Sequence, residues 1–169
     1  MKNSVYIAAP FFNPEQLKLV QDIELQLRMD DIEFFSPRLD GTLSEMSGEK
    51  KEQAIPAIFK ANIDNIREHN IMIAVLDDYD PGTIFEVGYF TCLKHGDHPA
   101  SNYQKHFDKI LLTLSNHNYG VNVMLRQAVN AHMLNIMDIR VAIGMILQGN
   151  YHHLPMVFAE NLSPTESTT

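Results

Sequence analysis

Short apolar runs alternate with longer stretches of helical spacing along this chain. Ser4 to Ala9 is a β-rich run ended by Pro10 and reads as a buried first strand. Asn13 and Pro14 then supply an N-cap and a first helical residue. The spacing predicts a helix to Arg28, with Leu17, Val20, Ile23 and Leu27 inward and Leu19 and Leu25 at the margins. Ile32 to Ser36 reads as a second strand stopped by Pro37. Arg38 to Glu49 is polar and contains glycine, so it reads as a loop, of a length that often serves function. Lys50 to Glu68 reads as a helix, kinked or started late by Pro56. Its shared face holds Ile55, Ile58, Phe59, Asn62, Ile63 and Ile66. Ile71 to Leu76 is apolar throughout, as a strand covered on both faces requires.

The same reading predicts a helix over Thr83 to Lys94, a fourth strand over Lys109 to Leu114, and helices over Asn122 to His132 and Ile136 to Leu147. Gly96 to His106 and Ser115 to Gly120 read as polar loops. Tyr151 to Phe158 reads as a short final strand or an irregular packing segment. Residues 1–160 are expected to form one domain, with 161–169 a frayed polar tail. Strands alternating with helices imply an α/β fold, a parallel sheet with helices on both faces. Ligands in such folds bind beyond the C-terminal strand ends, where the strand order reverses. Tyr6 to Phe12, Asp77 to Glu86 and Ser115 to Asn122 are three such ends, expected to converge.

One of these ends concentrates acids. The third strand runs into Asp77, Asp78 and Asp80, and Thr83 and Glu86 follow at the start of a helix. Thr83-x-x-Glu86 has the spacing of a capping box, which would make it purely structural. The functional reading makes Glu86 a nucleophile. A carboxylate in the first helical turn faces the positive end of the dipole, so its pKa is expected to fall. Attack by such a carboxylate on an anomeric carbon gives a covalent ester, and a second attack gives net retention. Asp80, Asp77 and Asp78 are available to assist, and Tyr6 to position Glu86 by a hydrogen bond. Asn62 is read either as a boundary residue or as a polar group aimed into a site.

Composition narrows the partners. Apolar residues make up 45% of the 169 and charged residues 20%, ordinary for a globular protein. The net charge of −8 argues against a nucleic-acid or anionic-membrane binder, whose affinity comes largely from Lys and Arg. No stretch approaches the ~18 apolar residues that span a bilayer, and the N-terminus lacks a signal-peptide pattern. A cytoplasmic location is expected. Cys92, the single cysteine, reads as a packed apolar thiol. The eight histidines show no spaced metal site. Ala8 to Phe12 is too bulky to cradle a pyrophosphate, so no dinucleotide cofactor is expected. No other cofactor is called for.

Four stretches taken in order resemble the nucleoside 2-deoxyribosyltransferase family: Val5 to Phe12, Phe59 to Asn62, Ile71 to Asp77, and Asp80-Pro81-Gly82-Thr83-Ile84-Phe85-Glu86-Val87-Gly88-Tyr89. The resemblance covers most of residues 4–130 and weakens in the last third. It implies a flavodoxin-like or Rossmann-like fold and transfer of 2-deoxyribose between nucleobases, with a deoxynucleoside and a free base as partners. Glu86 falls on the nucleophile, Tyr6 on the tyrosine that holds it, and Asp80 on an acid that contacts the substrate. Phe11, Asn62, Asp77 and Gly82 are the expected substrate-binding residues. Asn122 resembles an asparagine lent to a neighbouring subunit's site, which implies a homo-oligomer between a dimer and a hexamer. Asn62 departs from the pattern, since some relatives carry aspartate there and an amide cannot protonate a leaving base. A relative's C-terminal carboxylate role is not carried over to this polar tail.

Two other readings stay open. One is a hydrolase of nucleosides or nucleoside 5′-monophosphates that uses the same ester, resolved by water. The turn Pro10-Phe11-Phe12 offers no phosphate donors, which favours an unphosphorylated substrate. The other is a non-catalytic nucleotide-binding module, because fold alone does not fix function.

Overall fold

The computed structural model describes residues 3–40, 47–95, 109–115, 122–150 and 154. Strand β1 is Ser4–Ala8 and helix α1 Pro14–Met29; β2 is Glu33–Phe35 and α2 Glu49–Glu68. Then come β3 (Ile71–Val75), α3 (Pro81–His95), β4 (Ile110–Leu114), α4 (Val123–Ala128), β5 (Ala131–Met133) and α5 (Ile136–Leu147). The described strands form one parallel sheet in the order β2-β1-β3-β4-β5. The order reverses between β1 and β3, which is where a ligand crevice belongs. The last predicted segment, Tyr151 to Phe158, lies outside the described residues apart from Leu154, and so does the tail.

Strand alternation divides the core into two layers. Val5, Ile7, Ile71, Ile73 and Leu112 point to the face covered by α1 and α5. Tyr6, Ala8, Met72, Ala74 and Leu111 point to the face covered by α3 and the end of α2. Asn13 caps α1 as its sequence suggests: its side chain accepts the Gln16 amide at 2.9 Å. The inward face of α1 carries an acid that hydrophobic spacing could not announce. Glu24 is fully buried there and pairs with Arg38 beyond β2, the kind of partner a buried charge needs.

Two expectations are corrected. Helix α2 runs unbroken through Pro56, which lies on its exposed side, where solvent serves the carbonyl that loses its donor. The shared apolar face of α2 is mostly open: only Ile66 is buried, while Ile55 and Phe59 are 40% and 56% exposed. The predicted helix from Asn122 to His132 ends at Ala128, and β5 follows. Asn130 decides this. Its side-chain oxygen accepts the Leu111 amide and the Lys94 ammonium, and its own amide donates to the Leu111 carbonyl. Those contacts draw the chain onto the sheet edge, where His132 is buried against Thr113.

Lys109 is a second buried charge. Its ammonium donates to the carbonyls of Ile66, Arg67 and His69 at 3.0, 3.2 and 2.7 Å, closing the C-terminus of α2. It also lies 4.7 Å from the centre of the Phe90 ring. Burial pulls its pKa down to about 8.

Candidate active site

Tyr6 is held before any partner is considered. It is fully buried on β1, and its ring stacks on Phe35 of the neighbouring strand with centroids 5.7 Å apart. Its hydroxyl donates to Glu86 Oε1 at 2.7 Å, a short bond of the charge-assisted kind. Burial, with the Glu86 charge adding to it, pushes the Tyr6 hydroxyl far above its ordinary pKa, so it stays a donor at any working pH.

The geometry settles the capping question against the Thr83–Glu86 box. Helix α3 begins at Pro81, two residues earlier than expected. Its cap is Asp80, whose carbonyl accepts the Ile84 amide and whose Oδ2 accepts the Thr83 amide at 2.7 Å and the Thr83 hydroxyl at 3.1 Å. Glu86 is thereby one turn further into the helix and turned toward Tyr6. Gly82 matters for the same cap: a Cβ there would stand 3.0 Å from Asp80 Oδ2, so a larger residue would press on that carboxylate.

The expected fall in the Glu86 pKa is overturned. It is raised from 4.5 to about 7. Burial is the main cause, the Tyr6 bond opposes it, and the Asp80 charge adds to it. The dipole argument fails because Glu86 lies beyond the free amides of the first turn. Tyr6→Phe removes the group that holds the ionised form. The expected result is a roughly tenfold lower rate at pH 7 and an acidic limb of the pH–rate profile displaced upward. A profile superimposable on the wild type's would count against this role for Tyr6.

Glu86 opens onto a groove between α2 and α3 with a volume of 390 Å³. Its walls are apolar, from Ile55, Ile58, Phe59, Ile63, Ile66 and Phe85, while Asn62 and Glu86 are the polar side chains of the lining. Phe59 and Phe85 face each other with ring centroids 6.2 Å apart. An apolar slot with two polar groups suits a flat, heteroatom-bearing ligand.

The other predicted residues are distributed as follows. Asp80 and Gly82 stand beside Glu86. Asp77 is buried and accepts the Ser115 hydroxyl at 2.7 Å, outside the groove lining. Its charge also acts on His132, whose pKa burial lowers. Phe11 packs against the α1–α5 layer and touches the Phe12 ring, again outside the lining. Asn122 is exposed and caps α4 by accepting the Met124 amide at 2.9 Å. Residues 116–121, which precede it, lie outside the described residues. Sequence reasoning missed Phe59 and Phe85 as facing walls. Their positions one turn from Ile55 and next to Glu86 were the available signal. Among the described residues no group of histidine, cysteine or carboxylate side chains could hold a metal ion, and no helix is long and apolar enough to cross a membrane.

Comparison with known proteins agrees with the fold. The family model for nucleoside 2-deoxyribosyltransferase matches residues 5–124. Among solved structures, a 2-deoxyribosyltransferase from Bacillus psychrosaccharolyticus is similar at 27% identity and a TM-score of 0.64, over 80% of this chain and 89% of that one. A CMP N-glycosidase from Clostridium botulinum shares the fold at 17% identity and a TM-score of 0.50, over 85% of this chain and 99% of that one. No curated protein matches the sequence.

Proposed function

The chain belongs to the nucleoside 2-deoxyribosyltransferase family, and on that premise we propose that it exchanges 2-deoxyribose between nucleobases through a covalent ester on Glu86. The observation that carries the proposal is the Tyr6 hydroxyl bonded to Glu86 Oε1 at the edge of an apolar groove. The ionised carboxylate attacks the anomeric carbon of a deoxynucleoside. The glycosidic C–N bond breaks, and its electron pair leaves with the base, which takes up a proton. A second base then attacks the same carbon through a ring nitrogen and gives up its proton. The ester C–O bond breaks and the carboxylate is restored. Two inversions give net retention.

In this mechanism Tyr6 fixes the attacking carboxylate, and Asp80 positions the sugar or base. Asn62 offers an amide to the ligand in the groove. An amide cannot protonate the leaving base, so the proton comes from Asp80 or water. Phe59 and Phe85 enclose the base. The test is product analysis by chromatography, with a panel of purine and pyrimidine donors and acceptors. Formation of the exchanged nucleoside is the expected result. Base release unaffected by an acceptor, with no exchanged product, would identify a hydrolase instead. Binding without turnover would leave a nucleotide-binding module.

A second copy of the chain completes the site in this reading, lending Asn122. The support is its setting: Asn122, Val123 and Met124 are exposed together, the two apolar side chains at 65% and 76%. Light scattering should then give a mass of two or more chains. Met124→Glu is expected to yield smaller species with at least about tenfold less activity, since a buried unpaired charge opposes association. An active monomer would dismiss the lent asparagine.

A further inference from the structure

The acid-rich turn has a structural logic in which each carboxylate takes a different neighbour. Asp77 accepts the Ser115 hydroxyl beyond β4, Asp80 accepts the first-turn groups of α3, and Asp78 takes α1. The last link is made by Gln16. Its Oε1 accepts the Phe12 amide at 3.0 Å and its Nε2 donates to Asp78 Oδ2 at 3.2 Å. Both assignments follow from chemistry, since a backbone amide only donates and a carboxylate only accepts. Phe12 follows β1 and Asp78 follows β3, the two strands between which the order reverses. The Gln16 side chain therefore links the loop after β1 to the loop after β3 at the switch point. It also pins an uncommon stretch of backbone. Asp78 and Tyr79 have φ of 64° and 47°, consecutive left-handed residues that are not glycine, immediately before Asp80.

We infer that Gln16 is a positioning residue: its amide ties the loop after β1 to the acidic turn and so fixes the wall opposite the α2–α3 groove. With that side tied, a ligand reaches Glu86 from the groove. The inference rests on the proposed function for its ligand, a deoxynucleoside, and on the bridge alone for its geometry. The rival explanation is local. Gln16 is the third residue of α1, where glutamine or glutamate commonly reaches back to cap a helix start. Glutamate performs that task as well as glutamine does and suits the helix N-terminus. It cannot donate to Asp78. Gln16→Glu consequently separates a cap from a bridge.

The experiment compares wild type, Gln16→Glu, Asp78→Asn and the double variant by steady-state kinetics on the donor nucleoside, with Glu86→Gln as a control. Gln16→Glu is expected to raise KM about fivefold with kcat within about twofold, the scale of one net hydrogen bond. Asp78→Asn keeps an acceptor for Gln16 and should stay near wild type. The double variant exchanges donor and acceptor across the bridge and should restore KM. Unchanged KM in Gln16→Glu, or a double variant no better than it, overturns the inference. A fall in kcat and melting temperature at constant KM also overturns it, because that marks a purely structural role. The two readings fail separately. An active wild type with a silent Gln16→Glu refutes the bridge alone. An inactive wild type whose nucleoside affinity by calorimetry still weakens in Gln16→Glu refutes the transferase alone. Neither turnover nor binding refutes both.

Discussion

Glu86→Gln is expected to abolish the proposed base exchange, lowering kcat by about a thousandfold or more, the scale seen when a nucleophile is lost. The same variant gains stability, and the sign follows from the pKa. Burial raises the folded value from 4.5 to about 7, so across that window the native state binds a proton the unfolded chain has already lost. The stability contributed by this group is therefore full below pH 4.5 and is lost as pH rises through about 7. The substituted amide does not ionise, yet its carbonyl still accepts the Tyr6 hydroxyl.

The variant is expected to melt about 2–4 °C above wild type at pH 8 and level with it at pH 4, on the order of 1 kcal/mol once solvent at the groove is allowed for. Calorimetry at the two pH values checks this. In the wild type, kcat/KM should fall about tenfold per pH unit below pH 7 as Glu86 takes up its proton. Full exchange by the variant, or a flat profile between pH 5 and 8, would remove Glu86 from the chemistry.

Lys109→Met has the largest expected effect on stability. The methionine fills the volume beside Phe90 but leaves the carbonyls of Ile66, Arg67 and His69 without their shared donor. Unpaired buried acceptors cost about 1–3 kcal/mol each, and relaxation of the helix end recovers part of that. A net loss of about 3 kcal/mol is expected, or a melting temperature lower by about 6–12 °C. Urea denaturation gives the free energy directly. Activity per folded molecule should stay within about twofold, because Lys109 lies at the N-terminal end of β4, away from Glu86. A variant as stable as the wild type would show that water replaces the ammonium at those carbonyls.

Much of the candidate site was legible in the sequence. The run from Asp80 to Tyr89 placed Glu86 on a helix after a strand, and the β-rich run from Ser4 placed Tyr6 on the first strand. Each is a local signal of period and punctuation. What the sequence misjudged were competitions between local and distant partners. Asp80 rather than Thr83 caps α3, because its carboxylate reaches the Thr83 amide. The predicted helix after Asn122 yields to β5, because Asn130 finds β4.

The sequence by itself determined the alternation of strands and helices, the acidic turn and the pairing of motifs that marks the family. Periodicity and helix-boundary residues act over a few positions, so they can be read along the chain. The tertiary structure alone decided the upward shift of the Glu86 pKa and the use of each acid in the turn. Burial, the Tyr6 bond and the Asp80 charge all act through space on a single carboxylate. Their balance depends on how β1, α2 and α3 are packed, and no spacing in the sequence encodes it.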